Sequence, residues 1–163
     1  LNSPAKNVPV TFIKNLLAGR FLDHPLHIML IHFPLAFIPL CAALGLYSFI
    51  YKNNYFAELG FYSGATGTVT GILAAIYRAL DLIKIKDNKL LAKALLHGGL
   101  NIFSLLIFGV LIGLRFKYYP SIEPLNIWFL SFEIFAALII LFSGYLGGDL
   151  ILKYGIGITK GNN

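Results

Sequence analysis

Imidazole, ammonium and amide groups gather in two short stretches of this 163-residue chain. The first, His24-Pro-Leu-His27-Ile-Met-Leu-Ile-His32, carries three of the 4 histidines, and the second, Lys93-Ala-Leu-Leu-His97-Gly98-Gly99-Leu-Asn101, carries the other. Neutral imidazole is a common metal ligand, and two imidazoles on facing helices can hold haem iron. Lys93, His97 and Asn101 recur every four residues and share one stripe of a helix. Gly98 and Gly99 clear side-chain bulk beside His97, which suits either a close helix contact or a flat macrocycle. If residues 24–32 are helical, His24 lies between the other two, with His27 about 60° to one side and His32 about 80° to the other. His27 and His32 then point about 140° apart, and serve one small site together only where Pro34 distorts the helix.

The elements that must position these groups follow from composition. With 58% hydrophobic and 12% charged residues, against roughly 25% charged in a soluble domain, the chain is built for a membrane. Apolar runs longer than the roughly 20 residues needed to cross the hydrocarbon occur at Pro25–Tyr51, Ala57–Ile83, Leu90–Leu114 and Leu125–Leu152. Charges and breakers separate them at Lys52–Asn54, Lys84–Lys89 and Lys117–Pro124, so neighbouring spans run antiparallel. The expected fold is all-α, an integral membrane four-helix bundle over residues 24–158. In residues 1–23, Val10, Ile13, Leu16, Leu17 and Phe21 fall at near-helical spacing with Lys14 and Arg20 between them. This segment reads as an interfacial amphipathic helix rather than a signal peptide, and residues 159–163 form a tail.

An even number of spans puts both termini on one side, together with Lys6, Lys14, Arg20, Arg78, Lys84, Lys86, Lys89, Lys93, Lys153 and Lys160. The other side holds only Lys52, Arg115 and Lys117. The positive-inside rule then places both termini in the cytoplasm and the bundle in the inner membrane. Tyr47, Tyr51, Tyr55, Tyr118, Tyr119 and Trp128 gather toward the opposite face, as an aromatic belt does. The formal charge of +6 is explained by this asymmetry, and its few cations exclude a nucleic-acid binder.

All the histidines converge on the terminal side of the bundle. His32 lies roughly 7 Å deeper than His27 along a helix, and His97, in a span entering from the same side, reaches a similar depth. The expected site is one haem b with His32 and His97 as axial ligands and His27 in reserve. Asn101, Gly98 and Gly99 lie beside it, Lys93, Arg78 or Arg20 neutralises propionates, and Phe33 and Phe103 supply packing. The alternative is a divalent transition metal held by His24, His27, His97 and Asp81 or Asp149. A histidine in a span can also do no more than hydrogen-bond a neighbouring helix. Arg78 and Asp81 have the spacing of a structural ion pair. Glu133, in mid-span, suits a neutral acid hydrogen-bonded to a neighbouring helix, or else a proton relay. Ser63, Ser104, Ser131 and Ser143 lack a convincing histidine partner at their depths, and Cys41 is too deep for a hydrated thiolate, so no covalent catalysis is expected. With 1 cysteine the chain has no internal disulfide.

The stretch His24-Pro-Leu-His-Ile-Met-Leu-Ile-His-Phe-Pro34-Leu-Ala resembles the opening motif, typically HPLHPMLVHFPIA, of the domain of unknown function 2231 family of four-span prokaryotic membrane proteins. Ala79-Leu-Asp81, His97 with Asn101, Arg115, Ser143-Gly-Tyr-Leu-Gly-Gly148 and Tyr154-Gly-Ile-Gly-Ile158 fall in the family's order, so the likeness covers roughly residues 22–158. Ile28 departs from it where a second proline is usual, and Lys153-Tyr154 departs where many members carry a histidine. The resemblance implies topology and motif positions but no activity. The function expected from the residues is a b-type cytochrome-like electron-transfer subunit, not an enzyme. It would work in the lipid bilayer with a quinone or a redox protein, alone or within a larger membrane complex. A metal-handling membrane protein and a non-catalytic subunit docking a cytoplasmic partner are the alternatives.

Overall fold

The computed structural model describes residues 20–21, 24–82, 85–119 and 126–154, with side chains from residue 29 onward except at 80–82. Four helices follow one another within them: α1 (Leu26–Tyr51), α2 (Asn54–Leu82), α3 (Asn88–Phe116) and α4 (Ile127–Tyr154). Each is long and apolar enough to cross a membrane. α1 packs beside α2 and α4, and α3 packs beside the same two, so α1 and α3 oppose each other across the bundle's diagonal. The chain is thus the all-α four-span bundle expected. Its proximal end is where α1 begins and α4 ends; its distal end is where α1 turns into α2.

Capping residues set the helix starts ahead of the apolar runs. Asn53 Oδ1 accepts from Tyr55 N at 3.0 Å and Phe56 N at 3.4 Å, which starts α2 at Asn54. The turn before it puts Lys52 in the left-handed region, at φ 49°. The Asp87 side chain accepts from Leu90 N at 2.8 Å and draws Asn88 and Lys89, expected in the connection, into α3. Before α1, Arg20–Phe21 pairs antiparallel with His24–Pro25. This corrects two expectations: Arg20 and Phe21 are extended rather than helical, and His24 precedes α1 instead of opening it. Pro25 gives the reason, since a residue before proline is pushed out of the helical region. The rest of the amphipathic segment, and the tail, lie outside the described residues.

Large apolar side chains cover the outside of the bundle, including Leu106, Val110 and Leu114 on α3 and Leu138 and Phe142 on α4. Inside are smaller residues, among them Ala57, Ala74, Ala94, Ala136 and Ala137, around Ile38, Leu105, Phe108 and Ile140. α1 and α2 approach closely along a glycine seam. A Cβ on Gly64 would lie 2.8 Å from Cys41 Sγ, and one on Gly67 2.9 Å from Ile38 Cγ1. Hydroxyls bridge other contacts: Ser63 Oγ donates to Phe37 O and Ser104 Oγ to Ala136 O, each at 2.8 Å. Tyr47, Tyr51, Tyr55, Tyr118, Tyr119 and Trp128 are exposed toward the distal end.

Candidate functional site

In the proximal half, all four helices line one cavity of about 330 Å³, at the small end of the roughly 300–1,000 Å³ range of ligand pockets. Pro34 and Leu35 of α1, Ala74 and Ala75 of α2, Leu105 of α3 and Ile140 of α4 give it apolar walls. His32 from α1, Arg78 from α2, and His97 and Asn101 from α3 open onto it. Gly98 and Gly148 line it as well, and a Cβ on either would meet nothing within 4 Å. His32 is exposed and stands at the rim, whereas His97 is buried.

His97 is held through both ring nitrogens, with Nδ1 2.8 Å from Ser143 O and Nε2 3.2 Å from Asn101 Nδ2. A carbonyl can only accept, so Nδ1 carries the proton; Nε2 offers its lone pair to the Asn101 amide. Ser143 Oγ lies 3.0 Å from Nδ1 and donates to His97 O at 2.9 Å. An imidazole of α3 reaches a main-chain oxygen of α4 because of Gly147. In a helix the carbonyl of residue 143 lies beside the side chain of residue 147, and a Cβ there would stand 2.6 Å from His97 Cε1. The absent side chain is the imidazole's seat.

Of the residues singled out in the sequence, the cavity brings together His32, His97, Asn101, Arg78 and Gly98. Gly99 is exposed and away from it. Lys93 is exposed too, donating to the Tyr154 hydroxyl at 2.7 Å with its Nζ 4.7 Å from the ring centroid. Phe33 and Phe103, expected to pack a macrocycle, point outward instead, 46% and 48% exposed. Asp149 binds Lys153 at 2.7 Å. The side chains of His24, His27 and Asp81 lie outside the described residues. Among those described, no three His, Cys, Asp or Glu side chains gather as a metal-ligand set.

Two features escaped the sequence reading. Ser143, expected to lack a convincing histidine partner, is bonded to His97. Its proton goes to a main-chain oxygen, so it positions the ring and is no nucleophile. The spacing Ser143-x-x-x-Gly147 is the signal that marks an uncovered helix carbonyl. The second feature lies in the distal half. Arg115 is buried, with Nη1 3.1 Å from Glu133 Oε1 and Nη2 2.7 Å from Ala57 O. Glu133 does hydrogen-bond a neighbouring helix, and its partner there is the Arg115 guanidinium of α3.

No curated protein and no solved structure matches the chain. A family described as "Predicted membrane protein (DUF2231)" matches residues 23–160. That stretch takes in all four helices, the cavity and the Arg115–Glu133 pair. The chain therefore belongs to the DUF2231 family of predicted membrane proteins.

Proposed function

We propose that the protein is a b-type cytochrome-like electron-transfer subunit holding one haem b in the proximal cavity between His32 and His97. The reading rests on one observation: histidines of diagonally opposed helices open onto a single apolar cavity, the buried one fixed through Nδ1 with Nε2 as its basic nitrogen. A backbone carbonyl on Nδ1–H is the arrangement that orients an iron- or metal-binding imidazole. The imidazole chemistry suits such a group and Gly98 and Gly148 leave open space beside His97, into which the cavity of about 330 Å³ would have to widen to take the whole macrocycle. Haem, when bound, supplies a one-electron couple. Ser143 keeps the His97 ring in place, Asn101 would release Nε2 to the iron, Arg78 would neutralise the group's carboxylates at the cavity, and the apolar walls would keep water out. The same reading puts the bundle in an inner membrane with both termini cytoplasmic, exchanging electrons with a quinone or a redox protein.

The test is the absorbance spectrum of protein purified after expression with haem supplied. A Soret band of a low-spin, paired-imidazole haem is expected. His97→Ala should abolish it, and His32→Ala should abolish it or leave a five-coordinate, high-spin spectrum. If the unmodified protein takes up no haem the reading fails, and a colourless protein loaded with divalent metal would favour the metal alternative. A reporter fused after Asn163 should be active only in a cytoplasmic format.

A further inference from the structure

The Arg115–Glu133 pair shares no residue with the proximal cavity. Glu133 lies about 9 Å along α4 from its start at Ile127, fully buried, while Arg115 precedes the last residue of α3. Arg–carboxylate pairs frequently set two guanidinium nitrogens on both carboxylate oxygens. Here Nη1 alone meets Oε1, and Nη2 is turned away to Ala57 O on α2. Oε2 is buried without any hydrogen-bond partner. The guanidinium also lies over the Phe61 ring, Cζ 5.8 Å from its centroid. It is thus anchored to α2 independently of Glu133.

We propose that Glu133 is a reversible proton-binding site whose proton resides on Oε2. In the ionised state one carboxylate oxygen has no N–H or O–H donor in a water-poor interior, and only the weakly donating Cys41 thiol stands beside the carboxylate, a costly arrangement in a membrane. Binding H⁺ there converts that oxygen into a neutral hydroxyl and leaves Oε1 on Arg115. No electrons move, and the pair's net charge rises from zero to one positive charge. That charge rests on a guanidinium still held by Ala57 O, Oε1 and an aromatic face. The titratable and charged groups facing Glu133 are Arg115 from α3 and the Cys41 thiol from α1. From α2 come the Ala57 carbonyl and the Phe61 ring, neither of which titrates.

Infrared difference spectra of the full chain in lipid vesicles, taken from about pH 9 down to about pH 5, cover the range in which buried carboxyls titrate. A carbonyl band of a protonated carboxyl in apolar surroundings should grow as pH falls and shift in D₂O. It should vanish in Glu133→Gln, move without vanishing in Glu133→Asp, and persist in Glu58→Gln. Carbon-13 glutamate in the unmodified chain should move the same band, which keeps the assignment secure if the glutamine variant does not fold. A Glu133 that stays ionised, or stays protonated, throughout the range overturns the proposal.

Discussion

Replacing Gly147 by alanine is the smallest change that tests how His97 is held. The new Cβ would stand 2.6 Å from Cε1, 3.1 Å from Nε2 and 3.2 Å from Nδ1, well inside the roughly 3.5–4.0 Å optimum between carbon atoms. Either the ring moves by about 1 Å to reach that optimum, or α3 and α4 part. Ring motion stretches the 2.8 Å bond to Ser143 O beyond hydrogen-bonding distance and leaves a buried N–H unsatisfied, at about 1–3 kcal/mol. Parting the helices costs about 1–3 kcal/mol as an overpacked contact. The two are alternatives and do not add. At roughly 2–4 °C per kcal/mol for a chain of this size, Tm should fall by about 2–12 °C. Gly148→Ala is the control next door: nothing lies within 4 Å of its Cβ, so its effect should stay within about 0.5 kcal/mol. Thermal unfolding of both variants in one detergent gives the comparison, and nitrogen-15 spectra of the His97 ring report whether Nδ1–H persists. If Gly147→Ala melts with Gly148→Ala and keeps its ring signals, His97 does not sit against α4 and the tautomer argument falls.

Two further substitutions probe the two polar sites. Asn101→Ala removes the amide that competes for His97 Nε2; releasing a bond of about 0.5–1.5 kcal/mol should tighten haem binding about 2–10-fold in a titration of haem-free protein, and weaker binding would show that Asn101 assists the ligand instead. Arg115→Leu strips the donor from Glu133 and Ala57 O and should cost about 3–5 kcal/mol at alkaline pH. The loss should shrink in acid, where the carboxyl is neutral, and Arg115→Leu with Glu133→Leu should recover most of it; thermal unfolding across pH checks both, and a pH-independent loss in the single variant would count against proton binding.

The number of spans is legible in the sequence because length and apolarity alone set it, and depth within a span is legible because it is counted from the span's ends. His32 and His97 can therefore be assigned to the same end. Rotation about each helix axis is not legible. In water an apolar stripe marks the buried face, but lipid makes the outside as apolar as the inside. α3 exposes Leu106, Val110 and Leu114 while burying Leu105, Phe108 and Leu111, and residue type does not separate the two sets. The expectation that Phe33 and Phe103 pack at the cavity fails for this reason. Neighbouring glycines likewise part company: Gly98 lines the cavity and Gly99 faces out, Gly147 seats an imidazole and Gly148 borders space. The Arg115–Glu133 pairing is invisible for the same cause, since it needs the phases of α3 and α4 at once.

Polar groups carry the information that apolar ones lose in such a bundle. Ser48 donates to Asn53 O, Ser63 to Phe37 O, Thr68 to Gly64 O, Ser104 to Ala136 O and Ser143 to His97 O. Each bond satisfies a hydroxyl that lipid would leave stranded, and the last two join α3 to α4; none of them needs a ligand. Two acceptors depart from that pattern. His97 Nε2 is met only by an amide of its own helix, which itself faces the cavity, and Glu133 Oε2 is met by nothing. Where no water is at hand, an acceptor with a displaceable partner or none is where an incoming group displaces least. This places the haem proposal on His97 and the proton proposal on Glu133, and it makes them separable. The two sites share no residue, so His97→Ala should abolish the Soret band while leaving the Glu133 infrared band in place, and Glu133→Gln should do the reverse.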